Sequence, residues 1–395
     1  MFLVGKIYSF LAFYGYLPSK FEPINGSLKP QYNTLIELTM KVGILTYHYS
    51  DNYGAVLQAY ALSNILNNNG HDAQIINLIP KKSLKIRLGK FFKQKFLTYN
   101  FTAFRKNHLK THPSKTLFYP DLENYDFTIY DAVVVGSDQV WRKSFTGGLG
   151  YSYFLDFVPE GVKRISYAAS FGLDRYEGNE EDVKVIRELL KRFDLITTRE
   201  MSGVEVCKNL FDADAHCVLD PVLLNSAVFN DLMGENASGG FVTQYLLDPS
   251  PKKLAFLKRA SEHLKLPIKI NYKQSGKPIG ISSLFLERSK QTFPPVSSWL
   301  SGIAHSQLIV TDSFHGVAFS ILFQKQFVCV FNKARGKTRM SNLLGLLGLE
   351  HVGIDENDLQ NLDVTQLKPI DYAEVSPKLE KLREHSLGLL LNALK

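Results

Sequence analysis

Apolar and polar positions in this chain alternate in blocks, and from Met40 onward the blocks follow a strand–helix rhythm. Val42–Tyr47 is a compact apolar run with β character, followed by the polar turn His48–Gly54. Ala55, Ala59, Leu62 and Leu66 then fall on one face of a helix that runs to Asn68. Asn69-Gly70 closes that helix, and Ala73–Ile79 predicts the next strand. A strand–helix–strand unit of this length builds a parallel sheet.

The rhythm continues. Buried strands are predicted at Ala132, Ile165, Asp194 and His216, with helical stretches such as Glu181–Arg192 between them. Pro221 and the polar stretch up to about Gly240 mark a boundary. A second series starts at Phe241, with a helix near Lys252–Leu264 and strands at Pro267, Leu308 and Phe327. A helical pattern from Pro377 to Leu394 ends the chain. The pattern therefore predicts an α/β protein of two Rossmann-like, doubly wound domains facing a cleft. We place an N-terminal extension at 1–39, a first domain at 40–225, a second at 226–372 and a terminal helix at 373–395.

Bulk properties narrow the partners. The 395 residues are 45% hydrophobic and 21% charged, ordinary for a globular protein. A formal net charge of +8 suits anionic partners such as phosphorylated substrates or an acidic membrane surface. Part of it lies in Lys81–Lys95, where Lys and Arg alternate with Leu, Ile and Phe. Such a segment reads either as a basic amphipathic helix on anionic lipid or as a solvated helix whose stems cover apolar surface. Cys207, Cys217 and Cys329 form no CxxC pair, which favours buried thiols in a reducing compartment. Phe2–Tyr16 is apolar but interrupted, too short to span a bilayer.

Ligands of doubly wound sheets sit at the carboxyl ends of strands. Four polar clusters fall there. In the first, Ser50, Asp51 and Asn52 precede the helix at Ala55, a place for anion binding or for ordinary N-capping. In the second, Ser137, Asp138 and Gln139 end a strand, with Trp141 available to stack on a sugar or to pack in the core. Arg199 ends the third strand, poised to clamp a carboxylate or phosphate, or to pair with Glu200 or another acid. The fourth is the sharpest: Thr311-Asp312-Ser313 ends an apolar strand, and His315 and Gly316 open an apolar helix. A basic stretch with Arg335, Lys337 and Arg339 follows, either anion-binding or simply solvated. No GxGxxG, Walker A, HExxH or GxSxG sequence occurs.

Taken in order, these clusters resemble the polysaccharide pyruvyl transferase family. The carrying stretches are "KVGILTYHYSDNYGAVLQAYAL" from Lys41, "YDAVVVGSDQVW" from Tyr130, and the Tyr153–Gly172 region. "TTRE.SG" from Thr197, "VLDPVLL" from Val218, "LIVTDSFHG.AFSI" from Leu308 and "R…LL..LGL" from Arg339 continue the series. The resemblance covers about residues 41–350. It implies a fold like the GT-B glycosyltransferases, with phosphoenolpyruvate as donor, a glycan hydroxyl pair as acceptor and a pyruvate ketal as product.

On the family's pattern His315 is the general acid or a contact to departing phosphate, and Arg199 is the donor clamp. Several members carry Arg where this chain has Ser313, which leaves a donor-binding cation to Arg335 or Arg339. Ser137, Asp138, Gln139, Asp51, Asn52 and Gly316 complete the candidate substrate contacts. The acceptor is a polymer or a lipid-linked repeat unit, and the expected location is cytoplasmic or peripheral on the inner membrane face. No metal, cofactor or nucleic acid is expected. Two alternatives stand beside this reading: a nucleotide-sugar glycosyltransferase on the same scaffold, and a non-catalytic scaffold subunit.

Overall fold

The computed structural model describes residues 39–81, 99–146, 148–233, 240–272, 293–331 and 337–395. The Phe2–Tyr16 stretch, nearly all of the Lys81–Lys95 segment and Arg335 lie outside the described residues.

The first half is a seven-stranded parallel sheet. Its strands are β1 (Lys41–Leu45), β2 (Asp72–Leu78), β3 (Thr111–Leu117), β4 (Ala132–Asp138), β5 (Lys163–Ala169), β6 (Leu195–Thr198) and β7 (His216–Cys217). They lie in the order β3-β2-β1-β4-β5-β6-β7. The second half is a five-stranded parallel sheet of β8 (Val242–Tyr245), β9 (Ile268–Tyr272), β10 (Leu308–Thr311), β11 (Gln326–Phe331) and β12 (Gly353–Asp355). Its order is β12-β11-β10-β8-β9. Both orders reverse direction once, between β1 and β4 in the first sheet and between β8 and β10 in the second. Such reversal points open a crevice at the carboxyl ends of the strands. The expectation of two doubly wound α/β halves is met.

Among the described residues the helices of nine residues or more are α1 (Tyr53–Asn68), α2 (Tyr99–His108), α3 (Glu180–Leu190), α4 (Met201–Phe211), α5 (Pro251–Leu264), α6 (Val296–Ala304), α7 (Phe314–Leu322), α8 (Lys337–Leu347) and α9 (Tyr372–Ala393). The predicted apolar face of α1 is buried, but so is most of the rest of the helix. It packs on its own sheet and also against the second half. Tyr53 stacks flat on Trp299 of α6, with ring centroids 4.9 Å apart, and its hydroxyl donates to the Pro294 carbonyl at 2.7 Å. That apolar contact presses the start of α1 onto the second half.

The terminal helix begins five residues earlier than its pattern suggested. Asp371 caps it by accepting from the Ala373 N–H, and Pro377 sits inside. It bridges the halves: Tyr372 donates to the Lys325 carbonyl at 2.6 Å, and the Ser386 hydroxyl accepts from the Leu219 N–H at 3.0 Å. Among the described residues no helix is long and apolar enough to cross a membrane.

Candidate active site

Both reversal points feed one cavity. It has a volume of about 450 Å³ and is lined by residues that follow β1 (Tyr47, Ser50, Asn52), β4 (Asp138, Gln139, Arg142), β8 (Leu247, Asp248) and β10 (Asp312, Ser313, His315), with Arg339 of α8.

The floor is built from the ends of β4 and β6. Gly136 has φ +119°, and a Cβ there would overlap the Tyr167 carbonyl, so the strand end requires glycine. Ser137 is fully buried; its N–H donates to Gln58 Oε1 at 3.1 Å and its hydroxyl to Asp220 Oδ2 at 2.7 Å. Asp138 follows with φ 74°, a left-handed backbone that Asp tolerates better than most residues and that marks a constrained position. Its Oδ1 accepts from Arg199 Nη2 at 3.3 Å.

Arg199 is 3% exposed and does not line the cavity. Its Nη1 donates to Asp220 Oδ2 at 2.7 Å, and its guanidinium lies 4.2 Å over the Phe314 ring. Of its two expected roles, donor clamp or pairing with an acid, these contacts show the pairing, with the fork taken up by Asp220 and Asp138. The neighbouring acid Glu200 takes another partner, accepting from the Ser170 hydroxyl at 2.7 Å.

Asp220 is the hub that the motif reading left without a role. Its Oδ1 accepts from the Val222 N–H at 3.2 Å, while Oδ2 takes Ser137 and Arg199 and faces His315 Nε2 at 3.7 Å. Burial works to raise the Asp220 pKa, but His315, Arg199 and Ser137 together outweigh it and hold the carboxyl well below its ordinary range. It is a permanent carboxylate facing the imidazole.

His315 reaches this point from the second half. Ser313 is the N-cap of α7, accepting from the Gly316 N–H at 3.4 Å, so this hydroxyl helps fix the turn as well as lining the cavity. The imidazole is 7% exposed and lies against the start of α1, where any Cβ on Gly54 would overlap it. Gly316 is not part of the cavity lining, and a Cβ there would overlap Thr311 Oγ1 and crowd Tyr245. Asp312 anchors the same turn. It accepts from the Leu247 and Asp248 N–H groups at 2.6 and 3.1 Å and pairs with buried Lys253 Nζ at 2.7 Å.

Among the described residues two arginines line the cavity. Arg339 is buried; burial pushes its pKa down to about 10, with Arg199 adding repulsion and Glu200 and Asp138 opposing, so it stays charged at neutral pH. Arg142, unremarked among the sequence candidates, donates to Gln139 Oε1 at 3.1 Å and lies 3.6 Å from Glu177. Its position directly after the Ser137–Gln139 turn was the available signal. Lys337 is engaged elsewhere, with Asp355 at 3.0 Å.

Other candidates separate cleanly. Asn52 lines the cavity and also caps α1, accepting from the Ala55 N–H at 3.2 Å. Asp51 is drawn away to Arg105 at 3.0 Å and is not part of the lining. Of the two readings of Trp141 the structure shows the core one: it is fully buried, stacked on Phe154 at 5.3 Å, its indole N–H donating to the Tyr153 carbonyl at 2.8 Å. Among the described residues no three His, Cys, Asp or Glu side chains are grouped as a metal site would need.

A family model described as polysaccharide pyruvyl transferase matches residues 52–333, from the cap of α1 to just past β11. None of the curated proteins matches the chain. Among solved structures, an S. aureus MnaA–UDP co-structure is 12% identical, with 86% of this chain and 91% of that one covered and a TM-score of 0.48. A UDP-GlcNAc 2-epimerase from Neisseria meningitidis bound to UDP-GlcNAc is 9% identical, with 90% and 99% covered and a TM-score of 0.45.

Proposed function

The chain belongs to the polysaccharide pyruvyl transferase family and is a transferase, and from that premise we propose that it moves the pyruvyl unit of phosphoenolpyruvate onto a glycan hydroxyl pair. The observation that carries this reading is the meeting of His315 with the Asp220 carboxylate at a cavity that also presents Arg142 and Arg339.

The proposed steps balance. An imidazolium at His315 protonates the methylene carbon of the donor, whose double bond supplies the electrons and leaves an oxocarbenium centre bearing phosphate and carboxylate. Asp220 Oδ2 faces the ring from 3.7 Å. A glycan hydroxyl oxygen adds to the centre and gives up its proton to a nearby base. The carbon–phosphate oxygen bond then breaks, phosphate leaves, and the second hydroxyl adds to close the ketal. Of the two hydroxyl protons, one restores His315 and the other leaves with phosphate or solvent. Arg142 and Arg339 face the two anionic groups of the donor, where preorganised cations stabilise charge best. Asp138 and Gln139 stand where an acceptor hydroxyl would be oriented.

The test is phosphate release from phosphoenolpyruvate with galactose- and mannose-containing acceptors. Acceptor-dependent release that falls by about 10²-fold or more in His315→Ala supports the reading. A folded protein that fails to bind phosphoenolpyruvate, or that is stabilised by UDP or GDP instead, overturns it. The steps call for no metal, so a rate lost to EDTA also counts against them.

A further inference from the structure

The cavity has an apolar rim residue that the reaction, as set out above, does not use. Phe145 follows Arg142 in a one-turn helix, Lys143–Thr146, and lines the cavity. It is 51% exposed, the highest value among the exposed large apolar side chains of the described residues, and the others (Ile129, Met201, Leu254, Leu264, Ile268, Ile270 and Leu346) do not line that cavity. A single exposed apolar residue needs no explanation on an open surface, but one held at the mouth of a polar cavity is a recognition element.

Phe145 is also held in place. Its N–H donates to the Arg142 carbonyl at 2.9 Å, and the Arg142 guanidinium lies 4.5 Å from its ring centroid. The turn that carries it is anchored from outside: the Ser144 hydroxyl and N–H donate to Glu177 Oε2 at 2.8 and 3.1 Å, and Arg142 Nε lies 3.6 Å from Glu177 Oε1. An aromatic ring fixed before binding loses little conformational freedom when a ligand covers it.

We infer that Phe145 is a stacking platform for a sugar ring of the acceptor, the role that Trp141 of the same segment cannot take from the core. The negative π-face of a phenyl ring attracts the weakly positive C–H face of a pyranose, while the sugar's hydroxyl edges turn toward polar neighbours. Gln139 and Asp138 supply those neighbours in the same lining. Arg142 covers part of the ring, so the platform and a donor-facing cation share one anchored turn. This inference rests on the transferase reading, because it assigns the ligand to the acceptor.

The test uses saturation-transfer NMR with methyl galactoside, methyl mannoside and their disaccharides, on wild type, Phe145→Ala, Phe145→Leu and Phe145→Tyr. Wild type and Phe145→Tyr are expected to show saturation at the sugar C–H protons, and Phe145→Ala and Phe145→Leu to lose most of it. In turnover, Phe145→Ala is expected to raise acceptor KM about tenfold, while donor KM and thermal stability stay near wild type. No transfer to any of these sugars in wild type, or equal transfer in wild type and Phe145→Ala, overturns the platform. So does a donor KM that rises in step with the acceptor's. Failure of the reaction itself shows separately, as loss of phosphoenolpyruvate binding by the wild type.

Discussion

Asp220 and His315 come from opposite halves of the chain and meet with Oδ2 and Nε2 3.7 Å apart. Asp220 is fixed from three sides, by Ser137, Arg199 and the Val222 N–H, in addition to facing His315. The pair is therefore a joint between the halves as well as the proposed catalytic contact. Replacing Asp220 by Asn keeps the shape and removes the charge, and two losses follow. Phosphate release is expected to fall by about 10²- to 10⁴-fold, since the imidazolium loses its partner. Stability is expected to fall by about 3–5 kcal/mol, since Arg199 is left buried with a weakened partner set. Rates normalised to the folded fraction by circular dichroism separate the two, and a normalised rate equal to wild type would remove Asp220 from the chemistry.

Gly54 gives an independent handle on the same joint. In the first turn of α1 an alanine would ordinarily stabilise the helix, by roughly 0.5–1 kcal/mol. Here its Cβ would overlap the His315 ring. Gly54→Ala is expected to lower both melting temperature and turnover in the wild-type background. In a His315→Ala background the same change is expected to be neutral or stabilising. Thermal melts of the four proteins of that cycle give the answer, and additive effects would mean that the ring does not rest on Gly54.

Much of this arrangement was legible before any coordinates. Apolar runs located the central strands because each is buried on both faces, as in the AVVV of β4 and the LIV of β10. Edge strand β3, Thr111–Leu117, is mostly polar and half exposed, and its sequence carries no such signal. The strand-end rule pointed to His315, Asp138, Gln139 and Asn52, which line the cavity, because polar groups after buried strands collect at the sheet's carboxyl edge. It left open whether Arg199 would hold a ligand or an acid and whether Trp141 would face a sugar or the core, because the sequence does not show which partners each side chain meets. Arg199 meets Asp220 across the ends of separate strands, and Trp141 turns into the core to meet the Tyr153 carbonyl. Asp220 was visible in its motif, but its role is set by contacts from three distant segments.

The depressed Asp220 carboxyl makes a prediction about acid. A group whose pKa is lower folded than unfolded adds stability above the unfolded value and loses it as pH falls toward the folded one. With an unfolded carboxyl near ~3.9, that contribution is complete at neutral pH and erodes below about pH 4. Melting temperatures measured from pH 6 down to pH 3 are expected to fall more steeply for wild type than for Asp220→Asn. Parallel curves would show that other carboxylates dominate the acid limb.

Arg339 separates charge from shape at the donor side. It is buried, lines the cavity and remains cationic with a pKa near about 10. Arg339→Ala is expected to raise donor KM by about 10- to 100-fold, the loss of a charge-assisted contact of about 1.5–3 kcal/mol. Arg339→Lys restores a charge without the planar fork, so partial recovery is expected at pH 6 to 7. A lysine begins with a lower pKa than arginine, and the burial that pulls Arg339 down pulls it further. Donor affinity of the lysine variant is therefore expected to weaken as pH rises from 7 to 9, while that of the wild type changes less. Donor KM measured across that range for the three proteins decides the point. An alanine variant with unchanged donor KM would leave Arg142 as the cation that the donor meets.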